Sequence, residues 1–353
     1  MQAPGEALLA NLRETLTEKG IGALLRPWQI RREGRANTDV RRDELLTLAQ
    51  AEHDAEQIRQ GRVRLLGRGS SATLTRGQTT PALPDPERPA VGSQTERTAA
   101  DVANEAAAAE NLRREVNVAK ALLHAETVLE SDAQEPPETK IDDDWLFRWR
   151  DSASSVSAEY LQHLWGRVLA GELKAPGSFS LRTLEFLRNI SQDEARAIEK
   201  LAGFVIGGFV YRDKKASEAL GLHFAFLLEM QELGLLSGVE TGLEVTLPSS
   251  EDMRFIRLLA ASQLAVIVKH AEPTKQLKLS VYKVTPIGRE VLSLGVAEPD
   301  MAYLKHIGES ICKLGFDVSI GRYFHIAKDQ VRFFEDTQIC PKVSAEPDGP
   351  PLG

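Results

Sequence analysis

The stretch EYLQHLWGRVLAGELKAPGSFSLRTLEFLRNI, residues 159–190, decides the fold that this sequence predicts. Its first half repeats apolar side chains every three or four positions, which is the spacing of one face of an α-helix. These side chains are Leu161, Leu164, Trp165, Val168 and Leu169. Pro176–Gly177 ends that helix, and Ser180 is placed to cap a second one. Because the connection is short, the two helices should be antiparallel neighbours in a helical bundle, which we predict to span residues 96–206.

The segment before this bundle is charged and poor in apolar positions. Residues 1–66 predict an extended, charged N-terminal helical segment whose apolar side chains form only a narrow seam. Such a helix buries little area alone, so it either lies exposed or packs against a second copy, and we predict self-association through it. Residues 67–95 are rich in Pro, Gly, Ser and Thr and predict a disordered linker.

The part of the chain after the bundle has a different pattern. Residues 207–297 give the order helix, helix, hairpin, helix, with residues 263–269 and 277–284 as the two strands of the hairpin. We interpret this order as a winged-helix-like α+β module. Residues 298–335 predict a helix and a strand, and residues 336–353 predict a loose tail. The predicted fold class is mainly α.

Composition limits the location and the partners of the protein. The 353 residues carry a net charge of −8, which argues against general binding of polyanions. The N-terminus lacks the pattern of a secretory signal, and the most apolar stretch, residues 201–211, has about half the length that spans a bilayer. Cys312 and Cys340 are isolated, which indicates a reducing compartment and no disulfide. We therefore predict a cytoplasmic protein with no membrane span.

Several motifs resemble a bacterial family known as domain of unknown function 2806. The most specific are the LWxxxLAGE-like helix, Leu164–Glu172, and the PGSFSLRTL link, Pro176–Leu184. The PWQIRRE segment (Pro27–Glu33), the REVNVAK stretch (Arg114–Lys120) and the TPIGREVL segment (Thr285–Leu292) are similar as well. This resemblance implies no activity, cofactor or catalytic residue that could be carried over to the chain.

The sequence also shows no recognised catalytic motif. We find no nucleophile elbow, phosphate-binding loop, dinucleotide fingerprint or HExxH motif, so we predict no catalytic, cofactor-binding or metal site. The best single candidate for a functional carboxylate is Glu172. The alternative is that it caps the next turn or pairs with Arg167, Lys174 or Arg182. The acidic triplet at residues 142–144 is open to a metal-binding interpretation, but its position favours a helix N-cap.

Nucleic-acid binding is a second interpretation of the winged-helix-like module. The helix in the recognition position, HFAFLLEMQELG, contains Glu229 and Glu232 and no Lys or Arg, which is the wrong charge for a groove lined by phosphates. Six cations outside this helix have two interpretations. They contact a nucleic acid or another anion, or they lie on solvated faces where nearby acidic residues balance their charge. They are Arg31, Arg32 and Arg35 near the N-terminus, and Lys214, Lys215 and Lys275 in the C-terminal half.

We therefore predict a non-enzymatic, cytosolic interaction or adaptor protein that self-associates and binds another protein. A role in bacterial defence against phage is a sub-hypothesis that rests on analogy of architecture alone. The first alternative is a nucleic-acid-binding regulator that uses the winged-helix-like module. The second alternative is an enzyme with an unrecognised site near Glu172.

Overall fold

The chain divides into two compact units, residues 1–184 and 185–353. The predicted bundle of residues 96–206 spans this division. The structure, a computed structural model, describes residues 5–21, 37–60, 62–66, 73–76, 99–212, 220–295, 298–327 and 330–340.

The first unit is built mainly from helices. They are α1 (Glu6–Lys19), α2 (Asn37–Arg59), α3 (Ala99–Glu130), α4 (Asp143–Ser154), α5 (Glu159–Lys174) and the start of α6 (Leu181–Asn189). A short antiparallel hairpin joins β1 (Val63–Leu66) to β2 (Thr73–Arg76). Strand β2 lies within the predicted disordered linker of residues 67–95. The rest of that linker, residues 67–72 and 77–95, lies outside the described residues.

Helix α3 is the central helix of the first unit, because α1, α2, α4 and α5 all pack against it. Most side chains between Val116 and Leu129 are consequently buried. Helix α1 buries Leu8, Leu12 and Leu16, and helix α2 buries Leu48, Ala55 and Ile58. Part of the narrow seam on α2, which the sequence assigned either to solvent or to a second copy, is thus covered within the same chain, whereas Leu46 and Ala49 are exposed. Self-association stays a prediction.

The second unit combines helices with two antiparallel sheets. Its helices are α7 (Gln192–Ala202), α8 (Phe224–Glu232), α9 (Pro286–Leu292) and α10 (Met301–Cys312). Its strands are β3 (Phe209–Tyr211), β4 (Leu236–Ser237), β5 (Leu243–Leu247), β6 (Phe255–Ala261), β7 (Leu264–His270), β8 (Leu277–Val284), β9 (Asp317–Ala327) and β10 (Gln330–Gln338).

The strands of the second unit form two separate antiparallel sheets. The first sheet has the order β10-β9-β7-β6, and helix α10 packs against β7 and β9. In the second sheet, β8 is central, with β3 on one side and both β4 and β5 on the other. Val281 of β8 therefore lies between Tyr211 of β3 and Leu243 of β5.

The predicted mainly α fold class is wrong, because two four-stranded antiparallel sheets make up much of the second unit. The predicted hairpin of the winged-helix-like module is wrong as well. Strand β7 pairs with β6 and β9, whereas β8 pairs with β3, β4 and β5, so the two strands belong to different sheets. The largely apolar strands β6 and β7 are separated only by Ser262–Gln263, and this turn contains no Gly or Asn to mark it in the sequence.

The prediction that the two cysteines are isolated and reduced is also wrong. Cys312 and Cys340 form a disulfide, with Cα atoms 6.2 Å apart. The reason is topological: the β9–β10 hairpin returns the chain to the end of α10, across 28 residues of sequence. The cysteines therefore no longer support a reducing compartment. Among the described residues, no helix combines the length and apolarity that a membrane crossing requires.

Candidate functional site

Glu172, the carboxylate that the sequence singles out, lies near the end of α5 and is only 2% exposed. Its Oε1 accepts a hydrogen bond from the N–H of Gly177 at 2.6 Å, and its Oε2 accepts one from the N–H of Phe179 at 3.0 Å. Pro176 prevents the helix from continuing, so the carboxylate satisfies N–H groups that have no helical partner. This geometry corresponds to the alternative in which Glu172 caps the next turn.

Phe179 anchors the same turn from its other side. The indole N–H of Trp145 donates to the carbonyl oxygen of Phe179 at 2.7 Å. The Phe179 ring lies against Gly171, where an added Cβ would come within 2.7 Å of the ring. The LAGE and PGSF motifs are therefore two halves of one structural element, which we call the Glu172 turn (residues 171–180).

A second set of contacts ties the end of α3 to the end of α5. Lys174 Nζ lies 2.9 Å from Asp132 Oδ2, and the Gln134 side chain donates to the carbonyl oxygen of Lys174 at 2.9 Å. Burial raises the pKa of Asp132, but hydrogen bonds from Lys174 and from the N–H of Gln134 lower it, and the net direction is downward. These charges are committed to joining two helices.

A buried polar network, missed in the sequence analysis, connects α3 and α5 to the link between α4 and α5. Asn117 donates to the carbonyl oxygen of Ser154 at 2.9 Å. Gln162 lies 3.3 Å from Asn117 Oδ1 and 3.3 Å from the carbonyl oxygen of Val156. The sequence does hint at this network. Asn117 lies between Val116 and Val118, at a position where the central helix of a bundle usually carries an apolar side chain. The network fixes the link between α4 and α5.

Two histidines are in contact between α3 and α5. The rings of His124 on α3 and His163 on α5 are stacked, with centroids 3.5 Å apart. Their separation in sequence hides this contact. Within the ranges that the structure describes, no group of three or more His, Cys, Asp or Glu side chains is placed to hold a metal ion.

The acidic triplet at residues 142–144 serves the start of α4. Asp142 Oδ1 accepts a hydrogen bond from the N–H of Trp145 at 2.9 Å, so the predicted N-cap is confirmed. Asp143 forms an ion pair with Lys19 of α1 at 2.6 Å. The triplet thus stabilises a helix terminus and links it to a neighbouring helix.

Of the cations predicted to contact an anion, the structure describes one. Lys275 donates to the carbonyl oxygen of Gly315 at 2.7 Å, and its ammonium lies 4.3 Å from the centre of the Phe316 ring. These contacts tie a loop to the start of β9. Arg31, Arg32, Arg35, Lys214 and Lys215 lie outside the described residues.

One exposed aromatic side chain of the second unit lies on α8. Phe224, in the first turn of this helix, is 59% exposed. Leu228 follows it by one turn and is half-buried, and Glu229 and Glu232 are exposed beside it. We call these four residues the α8 face. The helix, FAFLLEMQE, contains no Lys or Arg.

Comparison with known proteins agrees with the motifs of the first unit. Residues 103–216 match the model of a family described as protein of unknown function, DUF2806. This range contains the whole Glu172 turn, so the resemblance predicted from residues 159–190 is confirmed there. The segments Pro27–Glu33 and Thr285–Leu292 fall outside the match. No curated protein and no solved structure matches the chain.

Proposed function

We propose that this protein is a non-enzymatic cytoplasmic adaptor that binds another protein through the α8 face. The observation that carries the proposal is the exposed Phe224, which lies on the same side of the helix as Leu228 and the exposed Glu232, while Glu229 is exposed at the edge of that side. An aromatic side chain next to charged groups is the usual composition of the centre and rim of a protein interface.

The chemistry of the face supports one class of partner. Phe224 and Leu228 need an apolar pocket, since the exposed ring loses its unfavourable contact with water only when it is buried. Glu229 and Glu232 favour Lys or Arg at the edge of that pocket, because opposite charges accelerate association and exclude acidic competitors. The expected partner is therefore a protein with an apolar pocket rimmed by basic residues.

The contacts of Glu172 support a non-enzymatic role. A general acid or base must reach its substrate within hydrogen-bond distance. The Glu172 carboxylate is instead buried and holds the backbone of the turn with both of its oxygens. These contacts weigh against the alternative of an enzyme that uses Glu172 as its catalytic carboxylate.

The α8 face also weighs against the nucleic-acid alternative. Phosphates repel Glu229 and Glu232, and Lys275, the one predicted cation within the described residues, is bound to Gly315 and Phe316. Nucleic-acid binding, self-association and a role in defence against phage all stay predictions. A plaque assay with a deletion strain tests the last of these.

The test uses the full-length chain, tagged and expressed at its native level. We expect one protein to co-purify in near-equal amount, and Phe224→Glu to reduce its recovery about tenfold or more, which is a loss of about 1.4 kcal/mol in binding. Phe147→Glu is the matched control, because Phe147 is 45% exposed on α4 of the first unit. Circular dichroism should show that both variants remain folded.

Three results would overturn the proposal. They are the absence of a stoichiometric partner, equal recovery with the Phe224→Glu variant, and loss of recovery with Phe147→Glu alone. Fluorescence anisotropy with duplex DNA at low salt addresses the alternative. Salt-sensitive DNA binding by both variants would support a nucleic-acid-binding regulator in place of the adaptor.

A further inference from the structure

We propose that Cys312 and Cys340 form a reversible clasp, opened by small thiols and closed by small disulfides, that fixes the end of β10 against α10. Cys312 is the last residue of α10, and Cys340 follows β10 by two residues. Their Cα atoms lie 6.2 Å apart, within the usual range for a disulfide. The bond therefore joins the end of a helix to the end of an edge strand of the first sheet.

Other contacts hold the same strand end in place without the disulfide. The N–H of Ile339 donates to the carbonyl oxygen of Val318 at 2.9 Å, and the side chain of Ile339 packs against Gly308 of α10. The Gln338 side chain donates to the carbonyl oxygen of Cys340 at 2.7 Å. Since β9 and β10 are also paired along their length, reduction should loosen the strand end and leave the sheet intact.

The position of the two cysteines makes exchange feasible. Both residues are half-buried and Cys340 lies at the end of an edge strand, so local opening of that strand end is enough for a small thiol to reach the bond. Access of this kind distinguishes labile disulfides from those sealed inside a core.

The exchange reaction is balanced with glutathione as the co-reactant. In closing, the thiolate of one cysteine attacks oxidised glutathione, forms a mixed disulfide and releases one glutathione thiolate. The thiolate of the second cysteine then attacks the protein-bound sulfur of the mixed disulfide and releases the second glutathione. The protein loses two protons and two electrons, and oxidised glutathione takes up both pairs. Opening is the reverse reaction.

The test equilibrates the full-length chain in glutathione buffers that run from fully reduced to fully oxidised. Free thiols are then alkylated and counted by intact mass. We expect a single two-electron transition inside this range, from two alkylated cysteines to none. Hydrogen exchange of residues 337–340 should slow about tenfold on oxidation, while exchange in β7 stays unchanged.

Single-cysteine variants provide the control. Cys312→Ser and Cys340→Ser should each show the fast exchange of the reduced protein in every buffer, with the circular dichroism of the unmodified chain. The clasp is refuted if both thiols stay free in oxidised glutathione, or if the disulfide survives in the fully reduced buffer. It is equally refuted by crosslinks between chains, or by oxidation that leaves the exchange of residues 337–340 unaltered.

Discussion

At the scale of single residues, a buried carboxylate is stable only where donors replace the water that it has lost. At Glu172 the donors are two N–H groups of the turn that follows it, those of Gly177 and Phe179. Phe179 is in turn held by Trp145 through its carbonyl oxygen. The chain reversal after α5 is therefore held by the Glu172 carboxylate on one side and by Trp145 on the other, which together order the backbone between two helices.

Replacement of Glu172 by Ala should reduce the free energy of unfolding by roughly 2–4 kcal/mol, because the buried N–H of Phe179 and the more exposed N–H of Gly177 both lose a charged acceptor. Urea denaturation followed by tryptophan fluorescence measures this change. Glu159→Ala is the matched control on the same helix, since Glu159 is 84% exposed, and it should change stability by less than about 0.5 kcal/mol. Equal stability of the two variants would contradict the structural role and return Glu172 to the list of candidate catalytic groups.

Residue-scale features were predictable from the sequence where their partners are close in the chain. The predicted N-cap at Asp142 joins residues three positions apart and is confirmed. The structure shows caps of the same spacing at Thr285 and at Ser191, which forms a capping box with Glu194. The turn at Ser262 escaped prediction because a serine occupies a position with φ of 55°, where glycine or asparagine is usual.

At the scale of elements, α2 shows why a sparse apolar seam is ambiguous. The sequence establishes that α2 has too few apolar positions to be stable alone, but not which surface covers them. The cover is α3, which begins 40 residues after α2 ends and is separated from it by the β1–β2 hairpin. A contact at this distance along the chain leaves no local signal.

A pair of leucines on α2 tests this packing. Leu48 is 2% exposed and Leu46 is 60% exposed on the same helix. Leu48→Ala should lower the free energy of unfolding by roughly 2–4 kcal/mol through loss of buried contacts, whereas Leu46→Ala should have little effect. Light scattering of both variants should give the mass of the unmodified protein. A smaller mass for Leu48→Ala, with unchanged stability, would show instead that the seam faces a second copy.

Strand pairing was the element-scale feature that the sequence predicted least well. The strand predicted at LKLSVYKV is β8, in which buried and exposed side chains alternate from Leu277 to Val281 and Tyr282 and Val284 are buried as well. Its partners β3, β4 and β5 all precede it in the chain, and the β6–β7 hairpin is inserted between β5 and β8. Because β7 directly precedes β8 in the chain, the sequence predicts that the two strands pair. In the structure β7 pairs with β6 and β9 and therefore belongs to the other sheet.

At the scale of the whole molecule, each of the two units contains its own hydrophobic core, so we expect heat to unfold them in separate transitions. The sequence supplies a convenient probe. All four tryptophans, Trp28, Trp145, Trp149 and Trp165, lie in residues 1–184, and residues 185–353 contain none. Tryptophan fluorescence therefore follows the first unit, and the disulfide constrains the second unit alone.

Two perturbations should consequently act on different transitions in calorimetry. Glu172→Ala should lower the midpoint of the transition seen by tryptophan fluorescence by roughly 5–10 °C and leave the other in place. Reduction of the disulfide should do the opposite. It opens the 28-residue loop, and the entropy that the unfolded chain gains destabilises the second unit by about 3.5 kcal/mol, which lowers the second midpoint by a similar amount. Two controls accompany these measurements. Glu159→Ala should leave both midpoints unchanged, and adding reductant to the Cys312→Ser variant should not lower its second midpoint any further. A single transition that moves with both perturbations would mean that the two cores unfold as one cooperative structure.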